Sequence, residues 1–337
     1  MTLATDRNAS SVIVAGSGAA PLVSVLIPAY NCGRYLGRAL DSVLAGQGVS
    51  LEVIVVDDAS SDDTAAVALA YADRGPVRLL RNEGNRGVSY SRNRAMREAR
   101  GEWLALLDGD DWFGPGRLAA LLALARESGA DLVADDMFLV DDASGHAYST
   151  RLIDNQALPL APGLVSPARC VRLDLGSVKP LMRRGFVVAE ELFYPESLRY
   201  GEDFVQLLRA LLAGGRLAMA ATPGYYLRRG NTGSATRQRL ALATQVAAAT
   251  RELLADPRVH TDGDLVLALN QRLRQAEEMA RLSRWRHDLG RGLQAWWQLA
   301  RQPELLGAFA RSGLGALQRR WNRRRHRARL AGAVHGL

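Results

Sequence analysis

One lysine, Lys179, stands among 43 Lys and Arg residues. A bias of that size points to a GC-rich coding sequence and not to a chemistry. Two cysteines, Cys32 and Cys170, are too few for a disulfide framework and show no zinc-ligand spacing. A reducing compartment such as the cytoplasm suits them. No apolar run approaches the roughly 18 residues that span a bilayer. The opening stretch, residues 1–20, lacks a basic start followed by a solid apolar segment, so it reads as a flexible leader and not a signal peptide. There is no GxxxxGK[ST] loop and no GxGxxG after the first apolar run, which argues against ATP-type and NAD-type phosphate cradles. No internal repeat is visible, which argues against a solenoid.

What remains is ordinary for a folded protein: 337 residues, 48% hydrophobic and 23% charged, enough for one large domain or two modest ones. The net charge of +8 is uneven. Residues 271–337 hold 15 Arg and 4 acids, a net of +11, so the rest of the chain sums to −3. The basicity belongs to the tail.

From about residue 22 to 135, short apolar runs alternate with helical stretches. VSVLI (23–27), LEVIVV (51–56), VRLLR (77–81), WLALL (103–107) and DLVADD (131–136) are separated by segments with helical spacing. That alternation predicts a parallel sheet with crossover helices, its strands covered on both faces. From 136 to 235 Pro and Gly are frequent, with one helix expected from Glu202 to Ala213. Beyond 240 the chain reads helical and mixes Trp and Leu with Arg.

The chemistry concentrates at the ends of the strands, where an open α/β sheet places its ligand crevice. WLALL runs straight into Asp108, Gly109, Asp110 and Asp111. Paired carboxylates at one-residue spacing suit a hard divalent cation, Mg²⁺ or Mn²⁺, that takes its other ligands from water and phosphate. The ordinary structural reading is an acidic turn with Asp111 capping the next helix. After strand one, Pro28 is expected to end the ladder and leave Ala29 to Asn31 as a loop. Asp57 and Asp58 tip strand two, where an acid can accept from a base N–H or ribose hydroxyl, while Ser61 or Asp62 could cap the following helix. In NRGVSYSRNRA, Arg92 offers a guanidinium fork to a diphosphate or a base, and Arg94 reads as a solvated helix face. In YGEDFVQLLRALL, Glu202 and Asp203 open a helix whose dipole would keep Asp203 ionised, as a general base requires.

VSVLIPAYN, EVIVVDDASSDDT, NRGVSYSRNRAMREARGEWLALLDGDDWF and GEDFVQLLRAL resemble, in order and spacing, the signature segments of the family 2 glycosyltransferases. The resemblance covers about residues 22–235. It implies a GT-A fold, a Rossmann-like, mostly parallel α/β sheet flanked by helices, here with a C-terminal helical extension. The implied division is a glycosyltransferase domain at 21–239, with a nucleotide-sugar half to about 135 and an acceptor half after it, then a basic helical region at 240–337. It also implies roles. Asp58 reads the nucleotide base, and Pro28, Ala29, Asn31 and Gly109 line the nucleotide-sugar site. Asp108 and Asp110 form the DXD motif, with Asp110 the direct metal ligand. Arg92 belongs to the same site, and Asp203 is the catalytic base. YYLRRGNTGS looks like the family's later segment, which makes Arg228 a diphosphate contact. LGSVKPLMRRGF with YGED is similar to bacterial exopolysaccharide glucosyltransferases of the succinoglycan type.

The activity so implied is inverting transfer of a hexose, glucose first, from a UDP-sugar to a hydroxyl of a glycan or lipid-linked oligosaccharide. Two other readings stay open. An Arg-rich tail with Trp could contact nucleic acid, but the acidic body and the lack of a nucleic-acid motif weigh against such a partner. A catalytically inactive scaffold on the same fold is the other, against which stands the presence of every key acid. The tail itself suits an amphipathic helix on an anionic membrane surface, which would make the protein cytoplasmic and peripheral to the inner face of the membrane. Alternatively Trp296, Trp297, Leu314, Leu317 and Trp321 pack against the catalytic body.

Overall fold

The computed structural model describes residues 11–12, 21–155, 163–230, 239–289 and 303–334. Along the chain come β1 (Ser11–Val12), β2 (Val23–Ala29), α1 (Gly33–Leu44), β3 (Leu51–Asp57), α2 (Thr64–Ala72), β4 (Val77–Arg81), α3 (Val88–Glu98) and β5 (Trp103–Leu106). The four longer strands form the parallel block β4-β3-β2-β5. Their apolar runs are buried on both faces, as two-sided helix cover demands. Within the expected leader only Ser11 and Val12 are described, and they pair antiparallel with the edge strand β4.

The sheet then changes character. β6 (Trp112–Phe113), α4 (Arg117–Ser128), β7 (Leu132–Ala134), β8 (Met137–Asp141), β9 (Ala147–Thr150), α5 (Arg151–Asp154), β10 (Gly163–Val165) and α6 (Pro167–Arg172) follow. After them come β11 (Leu181–Arg183), α7 (Arg184–Ala189), α8 (Glu202–Leu212), β12 (Leu217–Met219) and β13 (Tyr225–Arg229). The main sheet continues as β5-β11-β7-β12-β10, with β11 antiparallel to both its neighbours. A second sheet, β6-β13-β8-β9, stands beside it. The expected helix from Glu202 is present and ends at Leu212.

Pro28 does not end its strand. β2 continues through Pro28 opposite Val56 and Ala29 opposite Asp57. The reason lies in the other neighbour. The β2–β5 ladder stops at Leu26, whose carbonyl accepts from Leu107 N. Alternation turns the Pro28 nitrogen to that same side, where no strand remains to need its missing N–H.

The tail helices α9 (Arg239–Leu254) and α10 (Gly263–Leu289) pack on each other and on the body. Ala249, Leu253, Leu265, Ala268 and Leu269 join Leu104, Leu106, Leu132 and Phe204 in one buried cluster. Burying side chains of this size is worth roughly 1.5–3 kcal/mol each for Leu or Phe. The last helix, α11 (Pro303–Val334), lies against β9 and α5. Arg323 fastens it to Asp154 through two hydrogen bonds of 2.8 and 2.6 Å.

Candidate active site

The ends of β2, β3 and β5, the start of α8 and the tip of β13 surround a cleft of about 1700 Å³, closed on its far side by α9, α10 and α11. Pro28, Ala29, Asn31, Asp58, Arg92, Asp108, Gly109, Asp110, Asp203 and Arg228 all line it, whereas Asp57, Ser61, Asp62 and Arg94 do not.

Its centre is a closed ring of charge. Arg92 donates through Nη1 to Asp203 Oδ1 (2.7 Å) and Glu202 Oε1 (3.0 Å), and through Nη2 to Asp108 Oδ1 (2.9 Å). Lys179 Nζ lies 2.8 Å from Asp203 Oδ2 and 3.0 Å from Asp108 Oδ2. Both cations are almost fully buried. An ammonium or guanidinium is stable in such a place only when carboxylates surround it. Burial raises the Asp108 carboxyl's pKa, but Lys179 and Arg92 outweigh it and hold that pKa well below the usual carboxylate range. Burial also lowers the Lys179 ammonium's pKa, and Arg92 adds to that, yet Asp108 and Asp203 leave it above its ordinary value. Glu202 shifts the other way, pushed up by burial and by the Asp203 charge. It does more than support a helix start, because it ion-pairs Arg92 from inside the protein.

Lys179 has no place in the sequence reading as a site residue. The signal was there: it is the one position where the chain keeps lysine among so many arginines. Its place is set from below. Arg117 grips Asp135 in a buried pair, and its Nη2 donates to the Lys179 carbonyl at 2.9 Å.

The end of the cleft at β2 and β3 is built from loops that hydrogen-bond one another. Asp58 Oδ1 accepts from Asn82 Nδ2 (2.6 Å) and Arg86 N (2.8 Å), and Oδ2 accepts from Gly87 N (2.8 Å). A carboxylate has about four lone-pair sites, so Asp58 both fixes the loop before α3 and keeps capacity for a ligand donor. Asn31 sits in the left-handed region and its side chain accepts from Ser61 N. Neither Ser61 nor Asp62 stands at the N-cap of α2, which is Asp63, without a side-chain capping bond. Asp62 accepts from Thr64 N and, through its other oxygen, from Gly33 N at the start of α1. Arg94 is no solvated face either, for its Nη1 donates to Arg81 O and Asn82 Oδ1 at 2.7 Å each.

Asp111 does not cap the next helix. The residue before α4 is Gly116, in the left-handed conformation. Asp111 is buried, accepting from Tyr225 Oη (2.7 Å) and from Arg228 N (2.8 Å). Burial, with Asp110 and Asp108 alongside, drives its pKa well above the ordinary value. Tyr225 Oη also receives Asp108 N, so one phenol ties both ends of the acidic turn. Arg228 clamps that turn from outside, with Nε on Asp110 O and Nη1 on Asp142 Oδ1, both 2.9 Å. Gly109 lets the turn lie against β2: a Cβ there would meet Cys32 Sγ at 2.8 Å and Pro28 O at 3.3 Å. Cys32 and Cys170 are free and buried, and burial pushes each thiol up to about 12.

A divalent cation is tested by this donor set. Among the described residues no group of three acid, His or Cys side chains could hold a metal alone. Asp108 and Asp110 both line the cleft, and both oxygens of Asp108 face cations. That fits a cation of the kind that needs one or two protein carboxylates and completes its shell with water and substrate phosphates.

Comparison with known proteins agrees with this architecture. Residues 24–175 match the model described as Glycosyl transferase family 2. The succinoglycan biosynthesis protein ExoU of Rhizobium meliloti (strain 1021) is 35% identical over 268 residues, 76% of each chain. ExoO of the same organism is 37% identical over 61% of this chain, which spans 60% of ExoO's length. Staphylococcus aureus TarS in complex with UDP-GlcNAc shares the fold, with a TM-score of 0.62 at 23% identity, covering 74% of this chain and 71% of that one. The mannosyltransferase PcManGT of Pyrobaculum calidifontis, in complex with GDP-Man and Mn²⁺, aligns over 90% of this chain and 88% of its own, with a TM-score of 0.51 and 19% identity. The fold is GT-A, a mixed but mostly parallel sheet flanked by helices.

Proposed function

Because this chain belongs to glycosyl transferase family 2, we propose that it transfers a hexose, with inversion, from a UDP-sugar to a hydroxyl of a glycan or lipid-linked oligosaccharide in bacterial exopolysaccharide synthesis. The observation that carries the reading is the charge ring. Arg92 and Lys179 join Asp203 to Asp108, so an acceptor base and a diphosphate site lie one side chain apart in a single cleft. UDP-glucose is the first choice of donor. The nucleotide is favoured by a fold neighbour in complex with UDP, and the sugar by the resemblance of LGSVKPLMRRGF with YGED to exopolysaccharide glucosyltransferases.

In this reading the acceptor hydroxyl meets an Asp203 carboxylate held in one orientation by two charge-assisted hydrogen bonds. Two of its lone-pair sites are used and the others are available to the hydroxyl. Asp203 takes the proton as the acceptor oxygen bonds to the anomeric carbon. The bond from that carbon to the diphosphate oxygen breaks on the opposite face, and UDP leaves with the electron pair. Lys179 and Arg92 fix the position of that base, and Asp58 with the loop at Arg86 and Gly87 receives the uracil. Asp110, assisted by Asp108, would hold a Mg²⁺ or Mn²⁺ ion, which when bound neutralises charge on the diphosphate as a Lewis acid. Holding both reactants in the cleft contributes the entropy of bringing them together.

The enzyme would work at the inner face of the cell membrane. No helix among the described residues is long and apolar enough to cross it. Surface attachment falls to α11, where Leu314 and Leu317 are 65% and 63% exposed. Trp296 and Trp297 lie outside the described residues.

The test is Asp203→Asn, assayed for transfer from labelled UDP-glucose and for UDP affinity by calorimetry. Transfer should fall on the order of 100- to 10,000-fold while UDP affinity stays near that of the unaltered chain. Turnover close to normal would remove Asp203 as the base. In the same titrations Asp110→Ala should abolish the metal-dependent part of UDP binding, and Asp58→Ala should weaken binding at saturating metal.

A further inference from the structure

The wall of the cleft toward α5 and α11 is cationic, and the transfer mechanism does not use it. Successive residues of a strand face opposite ways, and β13 ends in two arginines. Arg228 turns to Asp142 and the Asp110 carbonyl. Arg229 turns to the other side, within electrostatic reach of Arg151, Tyr148, Asp111 and Asp154. Burial and the neighbouring Arg151 charge both act against its protonated form. A guanidinium held beside another guanidinium is unfavourable unless something negative joins them.

The local carboxylates are already committed. Asp154 accepts two hydrogen bonds from Arg323 of α11. Asp174 is shared by Arg151 (2.8 Å) and Arg272 (2.7 Å). The Nε atoms of Arg151 and Arg272 are buried without a hydrogen-bond partner. The carboxylates that act on Arg229 are Asp111, which already accepts from Tyr225 Oη and Arg228 N, and Asp154, and among the described residues neither forms an ion pair with it. Arg151, Arg272 and Arg323 therefore divide Asp154 and Asp174 among them, and Arg229 and Arg319 line the same cleft. Arg151, Arg229, Arg272 and Arg319 all line the cleft. Arg319 reaches it because it lies four residues from Arg323, on the same face of α11. Arg323 is bonded to Asp154, in the short helix that Arg151 begins.

We propose that Arg151, Arg229 and Arg319 form an anion subsite for a phosphate or diphosphate group carried by the acceptor. The inference rests on the glycosyltransferase reading, which assigns the donor's own diphosphate to the Asp110 side. Forked guanidiniums match paired phosphate oxygens, and three of them supply the charge that this wall leaves uncompensated. The group could belong to a lipid carrier or to a soluble sugar phosphate. Because Arg319 comes from α11, the subsite exists only while that helix is docked.

Inorganic phosphate titrated calorimetrically into the full chain, with UDP and Mg²⁺ saturating, tests this with the donor site filled. Saturable binding is expected. Arg229→Gln and Arg319→Gln should each weaken it about tenfold or more, the usual effect of losing one charge-assisted hydrogen bond. Arg229→Lys should keep most of it, and UDP affinity should be unchanged in all three. Transfer assays with one saccharide, presented lipid-diphosphate-linked, as a free 1-phosphate and without phosphate, then identify the source. Both phosphorylated forms should show a KM lowered about tenfold or more, and Arg229→Gln should erase the difference. A lipid-linked form better than the free phosphate assigns the group to a carrier, and equal values assign it to a soluble acceptor. No phosphate binding with UDP in place, or full binding by Arg229→Gln, overturns the subsite. Failure of the unaltered chain to bind UDP overturns the donor reading instead.

Discussion

Lys179 shows what a single side chain contributes when two carboxylates converge on it. Replacing it by Met leaves Asp108 and Asp203 to share Arg92 alone inside the protein. Breaking a buried pair by removing one partner costs about 3 kcal/mol or more. Urea denaturation of Lys179→Met should register that loss, and transfer should fall with it. Asp111 offers a test of the opposite sign. Its folded pKa is raised, so it binds a proton that the unfolded chain, with a carboxyl near ~4, has already released. Its contribution to stability is complete below the unfolded pKa and is lost as pH rises through the folded one. Asp111→Asn removes that dependence. In metal-free buffer the unaltered chain should therefore gain more over the variant at pH 5 than at pH 8. An equal gap at both pH values would show that Asp111 is ionised throughout. Asp108 runs the other way. Its depressed pKa gives stability that is present above the unfolded value and lost only as pH falls through the folded one.

At the scale of elements, the acidic turn after β5 works because it touches β2. Gly109→Ala places a methyl against Cys32 Sγ and Pro28 O. Overpacking of this kind typically costs 1–3 kcal/mol. Here it should also displace Asp110 and weaken metal-dependent UDP binding. Shortening the obstacle with Cys32→Ala should restore part of the loss, and a double variant no better than Gly109→Ala would contradict the contact. The elements themselves were readable because each carries its own periodicity: apolar runs for β2 to β5, helical spacing for α1 to α4 and α8. Pro28 was misjudged for a reason no local pattern holds. Whether a missing N–H matters depends on how far the neighbouring strand extends, and β5 stops two residues short.

For the whole molecule, the uneven charge takes on a shape. A body of slight negative charge is capped by basic helices, two of which enter its core while α11 keeps an apolar stripe outward. Arginines near an anionic membrane surface are worth about 1 kcal/mol each and are screened by salt. The full chain should co-sediment with anionic vesicles, less so at high salt. Leu314→Glu with Leu317→Glu should release it, since both positions are exposed and the fold does not depend on them. Equal pelleting of the two proteins would place attachment elsewhere.

The order of strands and helices, the acid at each strand end and the resemblance carried by four segments were settled by the amino-acid sequence itself. Each depends on residues within a short stretch and on the fixed geometry of helix and strand. Which partner each acid meets was decided only by the tertiary structure. Arg92, Lys179 and Asp203 are separated by 87 and then 24 residues, and no periodicity links them. Their meeting depends on β11 entering the sheet antiparallel beside β5 while α8 begins at the same rim. The same holds for Asp111, an apparent helix cap until β13 brings Tyr225 and the Arg228 amide to it. Buried charge must find its partner, and the partner's identity is a property of the folded chain.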